Sequence, residues 1–222
     1  MAKAADNNAA GAIAGIVLAG GLARRMGGGD KTLIPIGGRS MLALAIDRLM
    51  PQVAVLAVNA NGDPARFSAF GLPVIADTID GFAGPLAGIL AGMHWARANH
   101  PGCRYLASVA GDTPFFPADL VARLAEGCGG TEDTIALAAS ADGVHPVFGL
   151  WPLALADDLE AFLTKGDTRK ILAFTDRYVR LNVPFDPVEL ADGETLDPFF
   201  NINTPEDVDR AEAIVQALGE AA

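Results

Sequence analysis

Three basic side chains lie in a segment that opens with a short apolar run and continues as a glycine-rich loop. The segment, residues 16–33, reads IVLAGGLARRMGGGDKTL and carries Arg24, Arg25 and Lys31. Glycine lets a backbone approach a ligand closely because it has no Cβ, and free backbone N–H groups in such a loop can form an anion-binding concavity. Arginine and lysine add the positive charge that a polyphosphate requires. The segment therefore predicts a binding loop for a nucleoside triphosphate.

The glycines alone leave a second interpretation open, because many glycine-rich turns only join a strand to a helix. The segment also departs from two familiar phosphate-binding patterns. Lys31 follows Asp30 rather than a glycine, so the G-x-x-x-x-G-K-[ST] pattern is absent, and G-x-G-x-x-G is absent from this segment as well. We therefore expect neither a P-loop nor a dinucleotide fingerprint.

A carboxylate after another predicted strand offers a place for a metal ion. Asp112 follows the apolar run 105–110 and lies between Gly111 and Pro114. Mg²⁺ prefers one or two carboxylates together with phosphate oxygens and water, so Asp112 opposite a phosphate-binding loop suits it. The alternative is that Asp112 only caps the turn or the next helix.

Asn59 and Asp77 follow two further apolar runs. Either residue can be a turn residue, which is the commonest role of Asn and Asp in loops. A nucleotide site, however, needs acceptors for ribose hydroxyls and base N–H groups. The segment 84–88 reads GPLAG and enters a predicted helix, where backbone N–H groups are again free.

A separate set of polar residues is a candidate for binding a second substrate. A lone histidine is more often structural, exposed basic pairs are usually solvated, and asparagines near a helix start often cap it. We nevertheless keep the following residues as candidates for the acceptor side: His145, Arg169, Lys170, Asn201 and Asn203.

Apolar strands alternate with amphipathic helices along the chain, which predicts an α/β fold with a mostly parallel sheet and helices on both faces. In such sheets ligands bind beyond the carboxyl ends of the strands, where Gly20-Gly21, Asn59, Asp77 and Asp112 are placed. The predicted strands cover residues 16–18, 53–58, 73–76, 105–110, 135–139, 144–150, 178–183 and 199–202. The predicted helices cover residues 40–49, 64–70, 86–98, 117–127, 153–163, 168–174 and the segment from 204 onward.

Composition limits the classes of function. The chain has 222 residues, a formal net charge of −11 and a pI near 4.6, which argues against general binding to nucleic acid or to anionic membranes. Residues 1–12 are rich in Ala and Asn and are expected to form a disordered tail, followed by a single domain over 13–222. No run of eighteen apolar residues occurs, so we expect a cytoplasmic protein without a membrane span.

The two cysteines, Cys103 and Cys128, are interpreted as free thiols rather than a disulfide.

Several motifs together resemble the molybdenum cofactor guanylyltransferase family, within the nucleotidyltransferases that are similar to sugar-nucleotide pyrophosphorylases. The first is the glycine-rich segment, in which LAGG, RMG and DK follow one another. The others occur in the same order as in the family: Asp77, GPLAG at 84–88, DTP at 112–114, HPVF at 145–148 and FNINTPED at 200–207. The resemblance covers about residues 13–218. It departs at Ala23, where many members of the family have serine.

The resemblance implies a three-layer, Rossmann-like nucleotidyltransferase fold and an activity. The family transfers GMP from GTP to the terminal phosphate of molybdopterin, with Mg²⁺ as cofactor, and releases pyrophosphate. Molybdoenzymes or cofactor-delivery proteins are possible partners. By the same resemblance, Asp112 binds the metal. Attack on an α-phosphate needs neutralisation of developing charge, so the expected catalytic residues are Arg25, Lys31 and Asp112. The expected GTP-binding residues are Leu18, Ala19, Gly20, Gly21, Lys31, Asn59, Asp77 and Asp112.

Two alternatives remain open at the level of sequence. One is the same fold with other substrates, such as a cytidylyl- or sugar-phosphate nucleotidyltransferase; the pair Gly20-Gly21 favours the guanylyl branch. The other is a GTP-binding module that docks on a partner protein without catalysis. The presence of both Lys31 and Asp112 speaks against a pure binding module.

Overall fold

A seven-stranded sheet organises the chain. The computed structural model describes residues 13–20, 30–79, 84–166, 168–190 and 193–219. Within these residues the strands are β1 (Ile13–Leu18), β2 (Pro35–Ile36), β3 (Arg39–Ser40), β4 (Val55–Asn59), β5 (Val74–Ile75), β6 (Tyr105–Ala110), β7 (Thr134–Ser140), β8 (Gly143–Pro152), β9 (Val179–Pro184), β10 (Val188–Glu189) and β11 (Thr195–Leu196). The α-helices are α1 (Met41–Leu49), α2 (Pro85–Asn99), α3 (Leu120–Cys128), α4 (Ala156–Lys165), α5 (Ile171–Thr175) and α6 (Pro205–Leu218).

The order of strands in the main sheet is β5-β4-β1-β6-β8-β7-β9. All neighbouring strands are parallel except for β8, which is antiparallel to both β6 and β7. Leu18 at the end of β1 pairs with Asn59 on one side and with Ala110 on the other. The register therefore aligns the carboxyl ends of three parallel strands at one edge of the sheet.

Helices cover both faces of this sheet, which makes the structure three-layered. On one face α1 and α3 pack against the strands through Leu42, Ile46 and Leu124. On the other face α2, α4 and α5 pack through residues such as Leu90 and Leu159. The fold class expected from the sequence, an α/β fold with a mostly parallel central sheet, is confirmed.

Local sequence signals explain where the helices begin. The Ser40 hydroxyl accepts a hydrogen bond from the backbone N–H of Ala43 and caps α1. At α6, Thr204 and Asp207 form a capping box and Pro205 occupies the first turn. A third small core beside the sheet holds α6 against the β2–β3 hairpin.

The structure corrects several predicted boundaries. No strand is present at 199–202; this segment is a loop, tied to the sheet by a 3.1 Å hydrogen bond from the Ile202 N–H to the Asp112 carbonyl. Helix α3 begins at Leu120 rather than at 117, and α5 begins at Ile171 rather than at 168. The predicted helix at 64–70 is a 3₁₀ helix, Pro64–Phe70.

Cys103 and Cys128 are free thiols, as interpreted from the sequence. Burial raises the pKa of the Cys128 thiol to about 11, so this side chain is an inert part of the core. In the described part of the chain, no helix is long and apolar enough to cross a membrane. The predicted tail at 1–12 lies outside the described residues.

Candidate functional site

A cavity of about 450 Å³ opens at the carboxyl ends of β1, β4 and β6. This position agrees with the rule that open α/β sheets bind ligands beyond the ends of their parallel strands. We call it the strand-end cavity. Its lining residues are Leu18, Gly20, Asn59, Asn61, Asp77, Gly84, Pro85, Ala110, Asp112, Val147 and Asn201.

Lys31 and Asp112 form an ion pair at this cavity. The Lys31 ammonium lies 2.6 Å from Asp112 Oδ2 and donates a second 2.6 Å hydrogen bond to Asn203 Oδ1. A third contact, 3.3 Å long, joins the ammonium to Asn201 Oδ1. An ammonium has three donors, so all three are directed at oxygens. The Lys31 side chain is only 12% exposed, which fixes a positive charge beside the only carboxylate that contacts it among the described residues.

Two backbone contacts place Asp112 relative to β1. The Gly111 N–H donates a 3.0 Å hydrogen bond to the Leu18 carbonyl. A Cβ added at Gly111 would lie 3.1 Å from Thr32 Cγ2 and 3.3 Å from the Leu18 carbonyl oxygen, so glycine permits the close approach of these segments. Asp112 is thereby held against the 3₁₀ turn Lys31–Leu33 that carries its partner.

Arg66 connects the Lys31 turn to the loop after β4. Its guanidinium forms an ion pair with Asp30, the residue before Lys31, and donates to the carbonyl oxygens of Asn61 and Asp63. The planar guanidinium can satisfy several acceptors at once. Arg66 thus ties the turn that carries Lys31 to the loop after β4, where Asn61 lines the strand-end cavity.

The opposite side of the cavity is a network of two amides and one carboxylate. Asn59 Nδ2 donates to Asp77 Oδ1 at 2.9 Å, and Asn61 Nδ2 donates to Asp77 Oδ2 at 2.8 Å. The Asp77 N–H in turn donates to Asn61 Oδ1 at 2.9 Å. Each carboxylate oxygen therefore has one fixed donor and retains capacity for a hydroxyl or N–H of a ligand.

Gly88 on α2 makes room for Asn59. A Cβ at Gly88 would lie 2.2 Å from Asn59 Oδ1 and 2.9 Å from Leu18 Cδ2. Asn59 is buried and its amide also donates to the Ile75 carbonyl at 3.0 Å, so it cannot easily move away. Close packing of α2 on the sheet thus depends on glycine here.

The N-terminus of α2 contributes to the same cavity through Gly84 and Pro85. The N-terminal end of a helix carries a partial positive charge that favours anions. Together with Lys31, it provides positive potential in a chain whose net charge is −11. The arrangement suits an anionic ligand whose hydroxyl or amine groups can donate hydrogen bonds to Asp77.

A second cavity, of about 410 Å³, adjoins the first and shares Asn201 with it. We call it the β8 cavity, because His145 near the start of β8 lies in it. His145 stacks on Phe199 with ring centroids 4.4 Å apart. Its lining residues are Ser140, Ala141, Asp142, His145, Pro187, Thr195, Leu196, Asp197, Pro198, Phe199, Phe200, Asn201 and Arg210.

Hydrogen bonding indicates which ring nitrogen of His145 carries the proton. The Ser140 hydroxyl donates its single proton to Asp197 and lies 2.7 Å from His145 Nε2. Since that proton is already used, Nε2 carries the proton of the neutral ring and donates to Ser140. Burial lowers the pKa of His145 below its ordinary value of 6.5, and Asp197 and Asp142 only partly oppose this shift. The shift therefore favours the neutral ring.

The predicted site residues fall into three groups. Leu18, Gly20, Asn59, Asp77 and Asp112 line the strand-end cavity, with Lys31 bonded to Asp112. His145 and Asn201 line the β8 cavity, and Asn203 contacts Lys31. The remaining predictions are placed elsewhere or are not described: Ala19, Arg169, Lys170, Gly21 and Arg25.

Ala19 is buried, and its N–H donates to the Asn59 carbonyl at 2.9 Å, so this N–H is not available to a phosphate. Arg169 and Lys170 are exposed before α5 and are not among the residues that line either described cavity. Gly21 and Arg25 lie outside the described residues. Roles predicted for these positions stay predictions.

Sequence reasoning missed four residues that shape the two cavities. Neither Asn61 nor Arg66 is among the residues predicted for the site, yet Asn61 bonds to Asp77 and Arg66 pairs with Asp30. The spacing of Asn61, two residues after Asn59, was the available signal. Nothing local indicated Ser140 and Asp197, because 57 positions separate them in the chain.

The donor set suits a metal that is held partly by its substrate. The described residues contain no group of three or more His, Cys, Asp or Glu side chains that could hold a metal ion. Asp112, with the amide oxygens of Asn201 and Asn203 nearby, offers hard oxygen ligands of the kind that Mg²⁺ prefers, with phosphates and water completing its shell. The residues therefore fit Mg²⁺ bound together with a polyphosphate, rather than a metal cage built by the protein alone.

The cavity lies at the edge of a mostly parallel sheet. A lysine on one side suits phosphates, and a carboxylate on the other side can accept hydrogen bonds from a sugar or a base. This combination is typical of a nucleotidyltransferase site. Comparison with known proteins agrees. Residues 15–181 match the family described as the MobA-like NTP transferase domain, and the chain belongs to this family. Several relatives carry a more specific name.

One of these relatives, from Rhodopseudomonas palustris, is 56% identical over 199 residues, covering 90% of this chain and 92% of its own length. A second, from Mesorhizobium japonicum, is 52% identical over 206 residues, covering 93% and 97%. Both are named molybdenum cofactor guanylyltransferase. Among solved structures, molybdopterin-guanine dinucleotide biosynthesis protein A from Archaeoglobus fulgidus is 25% identical with a TM-score of 0.67, covering 91% of this chain and 98% of that one.

Proposed function

We propose that this protein transfers GMP from GTP to the terminal phosphate of molybdopterin, which yields a guanine dinucleotide cofactor and pyrophosphate. The similarity to relatives with the matching name supports this activity. The observation that carries it is the Lys31–Asp112 pair at a strand-end cavity whose other side presents Asp77. One side of this cavity suits phosphates, and the other suits ribose or base.

The reaction needs positioning and charge neutralisation rather than a covalent intermediate. An oxygen of the acceptor phosphate attacks the α-phosphorus of GTP. A new P–O–P bond forms, the bond between the α-phosphorus and its bridging oxygen breaks, and pyrophosphate leaves with the electron pair. The acceptor phosphate is already ionised, so no strong general base is required.

Lys31 and Arg25 stabilise the phosphates and the departing pyrophosphate in this proposal. Lys31 reaches the phosphates by leaving Asp112, the carboxylate to which its ammonium is bonded. Asp112 is then free to hold Mg²⁺. The metal, when bound, supplies neutralisation of the charge that builds on the phosphate oxygens.

The β8 cavity is the proposed place for the acceptor. It adjoins the strand-end cavity through Asn201, so a ligand in it can present a phosphate to the nucleotide. Its aromatic stack and its carboxylates, Asp142 and Asp197, suit a flat heterocycle with N–H donors. Arg210 lies in the same lining and adds one positive charge.

Pyrophosphate release is the measurement that tests this function. The protein is mixed with GTP and Mg²⁺, with and without molybdopterin, and CTP replaces GTP in a parallel series. Acceptor-dependent release with GTP is expected. Equal or better use of CTP would show a cytidylyltransferase, and use of sugar phosphates would show a different acceptor. GTP binding without any release would show a non-catalytic binding protein.

The proposal includes a cytoplasmic location, since GTP is a cytoplasmic substrate. It also includes a receiving partner, a molybdoenzyme or a cofactor-delivery protein. A pull-down with product-loaded protein would identify this partner.

A further inference from the structure

The cap of the last helix is connected to the phosphate-side lysine. Asp207 Oδ2 accepts hydrogen bonds from the backbone N–H groups of Asn203, at 2.8 Å, and Thr204, at 2.9 Å. The side chain of that same Asn203 accepts the 2.6 Å hydrogen bond from Lys31. Asp207 is therefore two contacts away from the Lys31 ammonium and touches the residue that holds it.

We propose that Asp207 is a positioning residue for Lys31, acting through Asn203. This inference rests on the proposed function, because the role of Lys31 is to meet the phosphates of the nucleotide. By fixing the backbone at Asn203, Asp207 sets the place of the amide oxygen that receives the ammonium. Loss of Asp207 frees this amide and leaves Lys31 held by Asp112 and the longer contact to Asn201.

The pKa of Asp207 agrees with a connection between the cap of α6 and Lys31. Partial burial raises the pKa of Asp207, but the hydrogen bonds from Asn203 and Thr204, together with the nearby Lys31 charge, outweigh burial and lower it. Lys31 thus acts electrostatically on the capping carboxylate as well as through Asn203. The helix cap and the lysine belong to one network.

A variant at Thr204 distinguishes the capping role of Asp207 from its positioning role. Its hydroxyl accepts a 3.2 Å hydrogen bond from the Asp207 N–H, which is the other half of the capping box, and no described hydrogen bond joins that hydroxyl to Asn203 or Lys31. Thr204→Ala therefore weakens the cap while leaving the contact between Asp207 and Asn203 in place. Glu206→Gln is a second control, since Glu206 is an exposed acid in the same helical turn.

The first experiment measures how reactive Lys31 is in the free protein. A limiting amount of an acylating reagent is added, and modification of each lysine is quantified by mass spectrometry. Lys165 and Lys170, which are exposed, serve as internal references. Reactivity of Lys31 relative to these references should rise several-fold in Asp207→Ala, but not in Thr204→Ala or Glu206→Gln. Asp207→Glu, which keeps a capping carboxylate, should restore protection. An unchanged Lys31 in Asp207→Ala would overturn the proposal.

The second experiment is a double-mutant cycle on binding. The ratio of the affinities for GTP and guanosine reports the contact with the phosphates. Asp207→Ala should lower this ratio roughly three- to ten-fold, the effect of loosening a charge-assisted contact, and should have no further effect in a Lys31→Ala background. Equal effects in both backgrounds would show that Asp207 only stabilises the helix.

The outcomes separate the two proposals. A wild-type protein that does not bind GTP overturns the proposed function, while the acylation result still decides the link between Asp207 and Lys31. Should Asp207→Ala fail to fold, Asn203→Ala tests the same link one contact closer to Lys31, with the same readouts. In that case Asn203→Ala must raise Lys31 reactivity, or the link is absent.

Discussion

The two cavities have similar volumes, about 450 and 410 Å³, and share Asn201, yet they are built differently. The strand-end cavity lies at the ends of parallel strands, and its charged groups are held by polar partners on adjacent loops. The β8 cavity surrounds the start of the one antiparallel strand of the main sheet, and an aromatic stack with a hydroxyl relay shapes it.

Under the proposed function, this difference separates substitutions that should affect the rate from substitutions that should affect affinity. A site with fixed charges, such as Lys31 and Asp112, can stabilise charge that develops on phosphates, which affects rate. A site with stacked rings and a hydrogen-bonded histidine suits recognition by shape and hydrogen bonding, which mainly affects affinity. Substitutions in the strand-end cavity should therefore have the larger effects.

The largest effect is expected for Asp112→Asn. Asn keeps the size of the side chain and can still accept a hydrogen bond, so the local turn survives. The negative charge that would hold Mg²⁺ is lost, and one preorganised electrostatic contact is worth on the order of 10²–10³ in rate. Pyrophosphate release across a Mg²⁺ titration measures this loss, and thermal unfolding shows whether the variant is folded. A folded variant with near-normal turnover would mean that Asp112 is a turn residue.

Lys31→Ala should lower GTP affinity roughly ten-fold or more, since a charge-assisted contact contributes about 1.5–3 kcal/mol. Guanosine binding should change little. The same variant leaves Asp112 without its ammonium, so Mn²⁺ should bind the free protein more tightly than it binds the wild type, as paramagnetic relaxation of water would show. Unchanged affinity for GTP would place Lys31 outside the phosphate contact.

The sequence predicted the sheet and the strand-end positions well because both depend on local patterns. Apolar runs of strand length and the polar residues after them are visible in the chain, and β6 was predicted with its observed bounds. Parallel strands then bring those ends together by topology. Asn59, Asp77 and Asp112 could be placed at one edge for this reason alone.

Contacts between distant segments could not be predicted in the same way. The Lys31–Asn203 bond spans 172 positions and the Ser140–Asp197 bond spans 57. The predicted strand at 199–202 is wrong because a short apolar run cannot reveal whether a partner strand exists; here Phe199 packs on His145 and Phe185 instead. Long-range packing decided the role of this segment.

Gly88→Ala should disrupt the ribose and base side without touching the phosphates. The new Cβ would lie 2.2 Å from Asn59 Oδ1. This Cβ is fixed to the backbone of α2 and cannot move away. Asn59 must shift and lose contacts to Asp77 and Ile75, at a cost of about 1–3 kcal/mol for a buried polar group. The free energy of GTP binding should weaken by about as much as the free energy of unfolding falls.

Gly92→Ala is the matched control for Gly88→Ala. It lies one turn further along α2, and its Cβ would meet only side chains, Leu106 at 3.0 Å and Ile16 at 3.2 Å. Its thermal midpoint should also fall, whereas its affinity for GTP, measured by calorimetry, should stay near that of the wild type. Equal losses of GTP affinity in both variants would show that Asn59 is not the cause.

His145→Gln tests the β8 cavity through pH. Because burial lowers the folded-state pKa of His145 below the ordinary value of 6.5, the unfolded chain binds the proton more readily, so stability should fall as pH drops below 6.5. The Gln variant should lose part of this dependence, measured as thermal midpoints between pH 7 and 5. His100→Gln, outside both cavities, is the control. The KM for molybdopterin should rise in His145→Gln while GTP affinity is unchanged.

The smallest effect is expected for replacing Arg169 and Lys170 together by Ala. Both are exposed and precede α5, whose Ile171 packs in the same core as Val144 beside His145. Successive side chains of a strand point to opposite faces of the sheet, so α5 packs on the face away from the ring of His145. The pair can therefore attract an anionic acceptor only over a distance, without contacting the nucleotide. Exposed charges are screened by salt, so the KM for molybdopterin should rise only a few-fold at low ionic strength and converge with wild type at high salt. The measurement is turnover against acceptor concentration at two salt concentrations, with Arg104→Ala as a control for an exposed charge remote from both cavities. Normal turnover at low salt would mean that the pair only solvates the surface and that acceptor recognition is confined to the β8 cavity.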